Sequence, residues 1–477
     1  MKKTKSLITT AIAYANGAPH IGHAFEFVIT DLIARYERKT NDVFFITGMD
    51  EHGQKIEQKA KELQVPVQEL VDRYAENFMA LDKDLAISYD FFVRTSNEEK
   101  HHLGAQMLWQ KLQEKGDLEK RVYKALYCIG CEEFKNEKDL NEQGECPIHL
   151  KKPDVVEEEN YFFKLSNYTE EIKAKILSDE LKIYPETRKN EILALLGRGL
   201  DDISFSRPKS KVSWGISVPG DDSQIMYVWC DALSNYITAI GYGTEAFDTE
   251  LWNNTTHVIG KDILRFHAAI WPAMLLSAGI PLPKKILVHG HITSGGQKMS
   301  KSLGNVIDPV EVINIFKDVA GELAGEVARF ILLYKVPTFE DGDLTIESIK
   351  EVYVAHLQNG LGNLTNRVMK MVITNNVTTD IKKIIELPEL ALFDTNKAAI
   401  ALVSKIGELD KKINDEQAFK VIKNNEEEGK RLIGIYLSDL TAIANVLEIF
   451  MPQTSAKIIE CIRENKMPEK PLFNRFI

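Results

Sequence analysis

Ser6-Leu7-Ile8-Thr9-Thr10-Ala11-Ile12-Ala13-Tyr14, then Asn16-Gly17-Ala18-Pro19, then His20-Ile21-Gly22-His23: this stretch of a 477-residue chain decides the fold class. The first nine residues are apolar or β-branched with no alternation, the pattern of a strand buried on both faces. Asn-Gly-Ala-Pro is turn chemistry. From Pro19-His20 onward, Phe25, Val28, Ile29, Leu32, Ile33 and Tyr36 recur at helical spacing. Asp42-Val43-Phe44-Phe45-Ile46-Thr47-Gly48 reads as a second strand, ending in a loop with Asp50, Glu51 and His52. Strand, helix, strand predicts an α/β fold with a doubly wound, Rossmann-like parallel sheet. Such sheets bind ligands beyond the carboxyl ends of their strands.

The alternation resumes far downstream. Ile225-Met226-Tyr227-Val228-Trp229 predicts a strand leading into a helix, His257-Val258-Ile259-Gly260 another strand, and Ile286-Leu287-Val288-His289-Gly290 the last clear one. Between about Lys120 and Arg207 the chain is charged and irregular, and reads as an insertion. After about Thr345 it reads as wholly helical, with Leu357, Leu361, Leu364, Val368 and Met371 stepping by four and three.

Composition excludes several classes. The length predicts two to four packed units. Apolar residues at 44% and charged residues at 27% exclude a disordered or collagen-like chain. Fifty-nine basic against seventy acidic residues give a net charge of -11, which argues against a histone-like binder but leaves local basic stripes open. Five cysteines do not make a disulfide framework. The basic start Met1-Lys2-Lys3-Thr4-Lys5-Ser6 lacks a long apolar stretch and a small-residue cleavage site. Phe266 to Pro283 is short for a membrane span and reads as a buried helix. No membrane association and a cytoplasmic location are expected.

Cys128, Cys131, Cys146 and His149 form two ligand pairs, Cys-x-x-Cys and Cys-x-x-His. Thiolate and imidazole at that spacing suit tetrahedral zinc in a reducing compartment, and four protein ligands make the site structural. Gly130 and Pro147 suit knuckle turns. Cys230 and Cys461 are isolated and read as buried thiols.

His20 and His23 share a face in the first turn of the predicted helix. A helix N-terminus attracts phosphate, and two imidazoles there could bond phosphate oxygens as charge develops. Gly22 would let a nucleotide approach the backbone. Lys298-Met299-Ser300-Lys301-Ser302, preceded by Gly295-Gly296, reads as a mobile basic loop able to fold over a triphosphate. Taken singly, either motif also reads as an ordinary exposed turn.

Together, His-x-Gly-His after the first strand and Lys-Met-Ser-Lys-Ser after the last resemble the class I aminoacyl-tRNA synthetases, and further matches at Trp229, Tyr236, Ile263, His267 and Trp271 make the resemblance one to the methionyl branch. The resemblance runs from Thr9 to about Lys423. It implies ligation of methionine to tRNA(Met) with ATP, through a methionyl-adenylate. Histidines 20 and 23 and lysines 298 and 301 would be catalytic, and Gly22, Glu26, Gly260, Asp262 and Met299 would join them at ATP. It implies one structural Zn2+ and Mg2+ with ATP. It also implies a division into 1–118 and 208–296 as catalytic halves, 119–207 as a zinc-knuckle insertion, 297–348 as a stem-contact region and 349–477 as a helical anticodon domain. A monomer is expected, because no appended oligonucleotide-binding domain follows.

Trp229, Ala232 and Tyr236 share one helix face, and Ile263, His267 and Trp271 another. By spacing alone such stripes read as ordinary core. The resemblance assigns them, with Ile12 and Tyr14, to the methionine pocket, where aromatic edges suit a thioether. It assigns Asp50 to the substrate ammonium, and Ala13 stands where the family has proline. Asp262 also reads as a helix N-cap. Asn363 and Arg367 lie i, i+4 on a polar face that by itself reads as solvated. With Phe419 they match the family's anticodon-reading positions, Ala418-Phe419 replacing Pro-Trp. Two other readings remain at this point: another class I ligase, or a non-catalytic tRNA-binding relative.

Overall fold

Seven strands build one sheet in the computed structural model, which describes residues 3–135, 139–299, 305–379 and 382–476. In chain order they are β1 (Lys5–Thr10), β2 (Ala13–Tyr14), β3 (Asp42–Asp50), β4 (Phe91–Arg94), β5 (Lys182–Tyr184), β6 (Thr255–Gly260) and β7 (Lys285–His289). The order is β2-β3-β1-β6-β7-β5, with β4 also paired to β3. β1 pairs in parallel with β3 and β6, β3 with β2 and β4, and β7 with β5. Ser6 to Thr10 and all of β6 are buried, which is why neither run shows the polar alternation of a half-exposed strand.

Six helices position the residues discussed below: α1 (Ile21–Glu37), α2 (Gln54–Leu63), α3 (Val228–Thr238), α4 (Asn363–Thr374), α5 (Thr395–Glu416) and α6 (Ala418–Asn424). The chain forms two compact units. One comprises residues 1–18, 40–79 and 89–288, and the other 19–39, 80–88 and 289–477. All regular elements after residue 345 are helical among the described residues, and Leu357, Leu361, Leu364 and Val368 are buried as their spacing predicts. No described helix is long and apolar enough to cross a membrane. Residues 266–283 instead form a π turn (Phe266–Ile270) and a short α-helix (Trp271–Ala278) that Gly279 ends in the left-handed conformation.

Two differences from the sequence reading have physical causes. The run 6–14 is not one strand. Thr9 lies opposite Ile46 but Ala13 lies opposite Met49, so this strand carries one extra residue, and the Ala11–Ile12 step acts as a bulge. The stretch 120–207 is not irregular either. Leu118–Cys128 and Asp154–Phe163 form a long antiparallel ladder, and β5, later in the same stretch, joins the parallel sheet beside β7. Charged residues along both faces of that ladder hide its period, and a three-residue strand is too short to show one.

Candidate active site and metal centre

α1 begins with a reciprocal cap. His23 N–H donates to Nδ1 of His20, the N-cap residue, and His20 N–H donates to Nδ1 of His23 at 3.2 Å. Each ring proton therefore sits on Nε2. The rings stack at 3.7 Å between centroids. A Cβ on Gly22 would come within 3.0 Å of the His20 ring, which explains glycine at this position. One turn on, Glu26 Oε2 lies 2.9 Å from Nε2 of His289.

The basic motif leaves a hairpin, Ile292–Ser294 and Gln297–Lys298, closed by Gly295 (φ 62) and Gly296 (φ 73). Both central residues need positive φ, the signature of a two-residue hairpin turn. Asp343 pins it, accepting from Gly296 N–H and Thr293 Oγ1, each at 2.8 Å. Met299 follows the second strand. Ser300, Lys301, Ser302, Leu303 and Gly304 lie outside the described residues, so the position of Lys301 does too. Beyond them, Ile307 accepts the backbone N–H of Ile21 at 3.2 Å. The segment leaving the lysine motif is therefore bonded to the first turn of the histidine helix.

Ile12, Tyr14, Asp50 and Gly260 stand at or just past the carboxyl ends of adjacent strands, where a doubly wound sheet binds ligands. Asp50 is buried, and its Oδ1 has no hydrogen-bond partner among the described residues. Burial, and after it the charge of Asp231, push its carboxyl well above the usual range. A cation placed beside its unpartnered oxygen would restore the ionised form. Asp262 is not an N-cap. The short turn Lys261–Ile263 is preceded by Gly260, makes no side-chain cap, and leaves Asp262 exposed.

The two aromatic stripes meet. Tyr236 and His267 lie 5.7 Å apart between ring centroids, Tyr236 and Trp271 6.0 Å, and Trp229 and His267 6.4 Å edge to face. Ala232 is buried on the same α3 face and Ile263 is half-buried. His267 Nδ1 donates to the Ile263 carbonyl at 3.1 Å, so its Nε2 accepts the Tyr236 hydroxyl proton at 2.7 Å. Burial pushes His267 down to about 4, which keeps it a neutral acceptor.

A second imidazole, which sequence reading misses, braces the first. Trp271 Nε1–H donates to Nε2 of His257 at 3.2 Å, so Nδ1 of His257 carries the proton and lies 2.9 Å from Thr9 Oγ1. Burial holds His257 well below the usual histidine range. Thr9 and His257 are register partners in β1 and β6, a non-local fact no spacing shows. Asp231, also missed, is fully enclosed between His52 Nδ1 (2.6 Å) and His101 Nε2 (2.7 Å). Against the penalty of burial, those two histidines hold its carboxyl far below the usual range. The one sequence signal was an acid inside the apolar run Val228–Thr238. Phe266, stacked on Trp229 at 3.7 Å, gave none.

Cys128, Cys131, Cys146 and His149 converge as their spacing predicts. Their ligand atoms lie within 4.8 Å of one another. His149 Nδ1 is 3.8, 3.5 and 3.7 Å from the three sulfurs, and Cys131 and Cys146 Sγ are 3.6 Å apart. Those edges match a tetrahedron with metal–sulfur bonds of about 2.3 Å and are far too long for a disulfide, so the donor set fits a closed zinc site. A Cβ on Gly130 would meet the His149 ring at 2.5 Å. Cys230 and Cys461 are buried, and burial raises both thiols.

In the helical region Asn363 is exposed on α4. Arg367 is ion-paired with Asp410 and donates to Asn414 Oδ1 at 2.7 Å, both on α5. Phe419 on α6 is 46% exposed, unusual for a large aromatic.

Comparison with known proteins gives the family. A model of the family described as tRNA synthetases class I (M) matches residues 6–154 and 139–369. The chain is 36% identical to the methionine–tRNA ligase of Rhizobium meliloti, covering 95% of this chain and 91% of that protein. It is 42% identical to the methionine–tRNA ligase of Thermotoga maritima over 77% of this chain and 58% of that one. It superposes on Mycobacterium tuberculosis methionyl-tRNA synthetase in complex with methionyl-adenylate with a TM-score of 0.88, at 34% identity over 99% of this chain and 95% of that one.

Proposed function

The chain belongs to the class I tRNA synthetases of the methionyl type, and we propose from that premise that it ligates L-methionine to tRNA(Met) at the expense of ATP. The observation that carries the reading is Asp50, a buried carboxyl with an unpartnered oxygen, whose ionised form, disfavoured by burial, an ammonium group would stabilise.

In the first step a methionine carboxylate oxygen attacks the α-phosphorus of ATP, supplied as its magnesium complex. The bond to the bridging oxygen breaks, and pyrophosphate leaves with its electrons. Asp50 takes the methionine ammonium. Tyr236, His267, Trp229 and Trp271, with Ile12, Tyr14, Ala232 and Ile263, enclose the thioether, whose sulfur packs at ring edges. Neutral His267, held by Tyr236, offers no charge to a polar competitor. His20 and His23, each protonated on Nε2, donate to phosphate oxygens as charge accumulates there, and Lys298 and Lys301 neutralise the leaving pyrophosphate. Gly22, Glu26, Gly260, Asp262 and Met299 position the nucleotide. In the second step a hydroxyl of the terminal adenosine attacks the methionyl carbonyl carbon. AMP leaves, and the hydroxyl proton passes to it or to solvent.

Cys128, Cys131, Cys146 and His149 would hold a zinc ion, which supplies cross-linking of the knuckle. Asn363, Arg367 and Phe419 read the anticodon, and the protein acts as a cytoplasmic monomer. The test is pyrophosphate exchange with each of the twenty amino acids in turn. Exchange dependent on methionine is expected, without any need for tRNA. Exchange driven best by another amino acid, or none, would overturn the assignment.

A further inference from the structure

Glu132 follows the second cysteine of the knuckle, yet its side chain serves neither the cluster nor the solvent. It is 5% exposed, and its backbone is held at φ 53, a left-handed conformation that a residue with a Cβ rarely adopts. Two turn bonds impose that bend. Cys131 N–H donates to the Cys128 carbonyl and Glu132 N–H to that of Ile129, each at 3.2 Å.

The bend aims both carboxylate oxygens at the amino-acid site. Oε2 accepts the Tyr14 hydroxyl at 2.7 Å, and Oε1 accepts the backbone N–H of Lys55 at 3.0 Å. Lys55 is in the first turn of α2, whose N-cap is Gly53, a residue with no side chain to cap it. Glu132 thus supplies from a distant segment both the cap and the negative charge that a helix N-terminus favours. The contact is tight. A Cβ on Gly53, itself at φ 116, would meet Tyr14 Oη at 2.6 Å and Glu132 Oε1 at 3.0 Å. The two groups that Glu132 holds flank Asp50. Tyr14 is its register partner across β2 and β3, and Gly53 ends the loop that Asp50 begins.

We infer that Glu132 is a positioning residue that couples the ordered Cys3His knuckle to the amino-acid pocket, by holding Tyr14 and the start of α2 around Asp50. This rests on the methionine reading of that pocket. When the knuckle is ordered, the bend at Glu132 is fixed. When it is not, the carboxylate has no reason to stay at φ 53, and Tyr14 and the α2 start lose their common anchor.

The test measures methionine and ATP affinity by calorimetry, with zinc content determined on the same samples. Chelating the metal from wild-type protein should raise the methionine Kd at least tenfold. Glu132→Ala, still holding one zinc, should raise it by a similar factor with ATP affinity within twofold of wild type. Stripping the metal from Glu132→Ala should then add less than a further twofold. Glu132→Gln, which keeps an acceptor for Lys55 and a donor for Tyr14, should recover most of the affinity and covers the case in which the alanine variant does not fold. The inference is overturned if Glu132→Gln and Glu132→Ala bind methionine as wild type does, or if metal removal weakens binding equally with and without Glu132. Wild-type protein that binds no methionine would instead sink the functional reading, and this inference with it.

Discussion

The backbone N–H of Ile21 donates to the carbonyl of Ile307 at 3.2 Å. Ile21 opens the helix that His20 and His23 cap, and Ile307 lies five residues past Ser302 in the sequence, so this one bond ties the segment that follows the lysine motif to the histidine helix. The hairpin entering that motif is fixed as well, by Asp343 on Gly296 and Thr293. We propose that the lysine motif between these two anchored segments acts together with the two Nε2–H donors on one polyphosphate.

Lys301→Ala should therefore slow methionine-dependent pyrophosphate exchange by about 10²–10³-fold, the usual cost of removing one group that stabilises developing charge. Methionine Kd should stay within twofold. Exchange at a near-wild-type rate would refute the role.

Tyr236→Phe removes the hydroxyl that donates to His267 Nε2, the one donor to that atom among the described residues, since Nδ1 is committed to Ile263. A buried acceptor left unsatisfied costs about 1–3 kcal/mol. The methionine Kd should rise roughly five- to hundredfold by that conversion, while ATP affinity is unchanged. An unaltered Kd would show that His267 finds another donor.

If Asp50 takes the methionine ammonium, as proposed, binding should release a proton. Burial first, then the charges of Asp231 and Glu132, raise its carboxyl well above the usual range. An ammonium partner favours the ionised form, so a proton must leave on binding wherever the unliganded site holds it neutral. Methionine affinity should then fall as pH is lowered. Calorimetry in two buffers of different ionisation enthalpy should give different apparent enthalpies for wild type, but not for Asp50→Asn. Equal enthalpies for wild type would contradict the assignment.

How much of this the chain announces depends on range. The faces formed by Trp229 and Tyr236, and by Ile263, His267 and Trp271, are local periodicities and are legible. The four residues of the Cys3His cluster lie close in sequence and are legible too. That the two faces oppose each other is not, nor is His257, which sits in a strand whose other residues are apolar or β-branched and meets Thr9 only through sheet register. Glu132 is invisible for the same reason, because its partners Tyr14 and Lys55 belong to another part of the chain. β5 is lost because three residues carry no period.

The second unit contains a buried ion pair that sets its acid stability. Arg329 and Asp31 are both fully buried, with Nη2 2.5 Å from Oδ2, and Arg329 also donates to the carbonyls of Phe450 and Ile449 at 2.8 and 3.1 Å. Against the penalty of burial, Arg329 and Arg35 hold the Asp31 carboxyl below its usual value. A depressed carboxylate contributes stability that is present above its unfolded value, about 3.9, and is lost as pH falls through the folded one. Asp31→Asn should cost about 3–5 kcal/mol at pH 7, because it leaves Arg329 buried and unpaired. The gap to wild type in urea unfolding should narrow below about pH 4. The difference curve is the right measure, since Asp82 nearby is raised by burial and contributes with the opposite sign. A gap that widens in acid would overturn this account.

Phe419 tests the proposed anticodon role without touching the first chemical step. It is 46% exposed at the start of α6, with Lys420 Nζ 5.8 Å from its ring centre. An exposed aromatic beside a cation is the pairing that stacks an unpaired base while attracting its phosphate, and each stacked base is worth about 1–3 kcal/mol. Arg367 must exchange its ion pair with Asp410 before it can reach a base, so Phe419 is the group already presented. Phe419→Ala should raise KM for tRNA(Met) in the charging reaction by roughly five- to hundredfold, the equivalent of that stacking energy. Phe419→Trp, with a larger ring, should lower it. Exchange without tRNA should be unchanged in both variants. Equal loss in exchange and charging would mean that the ring supports the fold and reads no base.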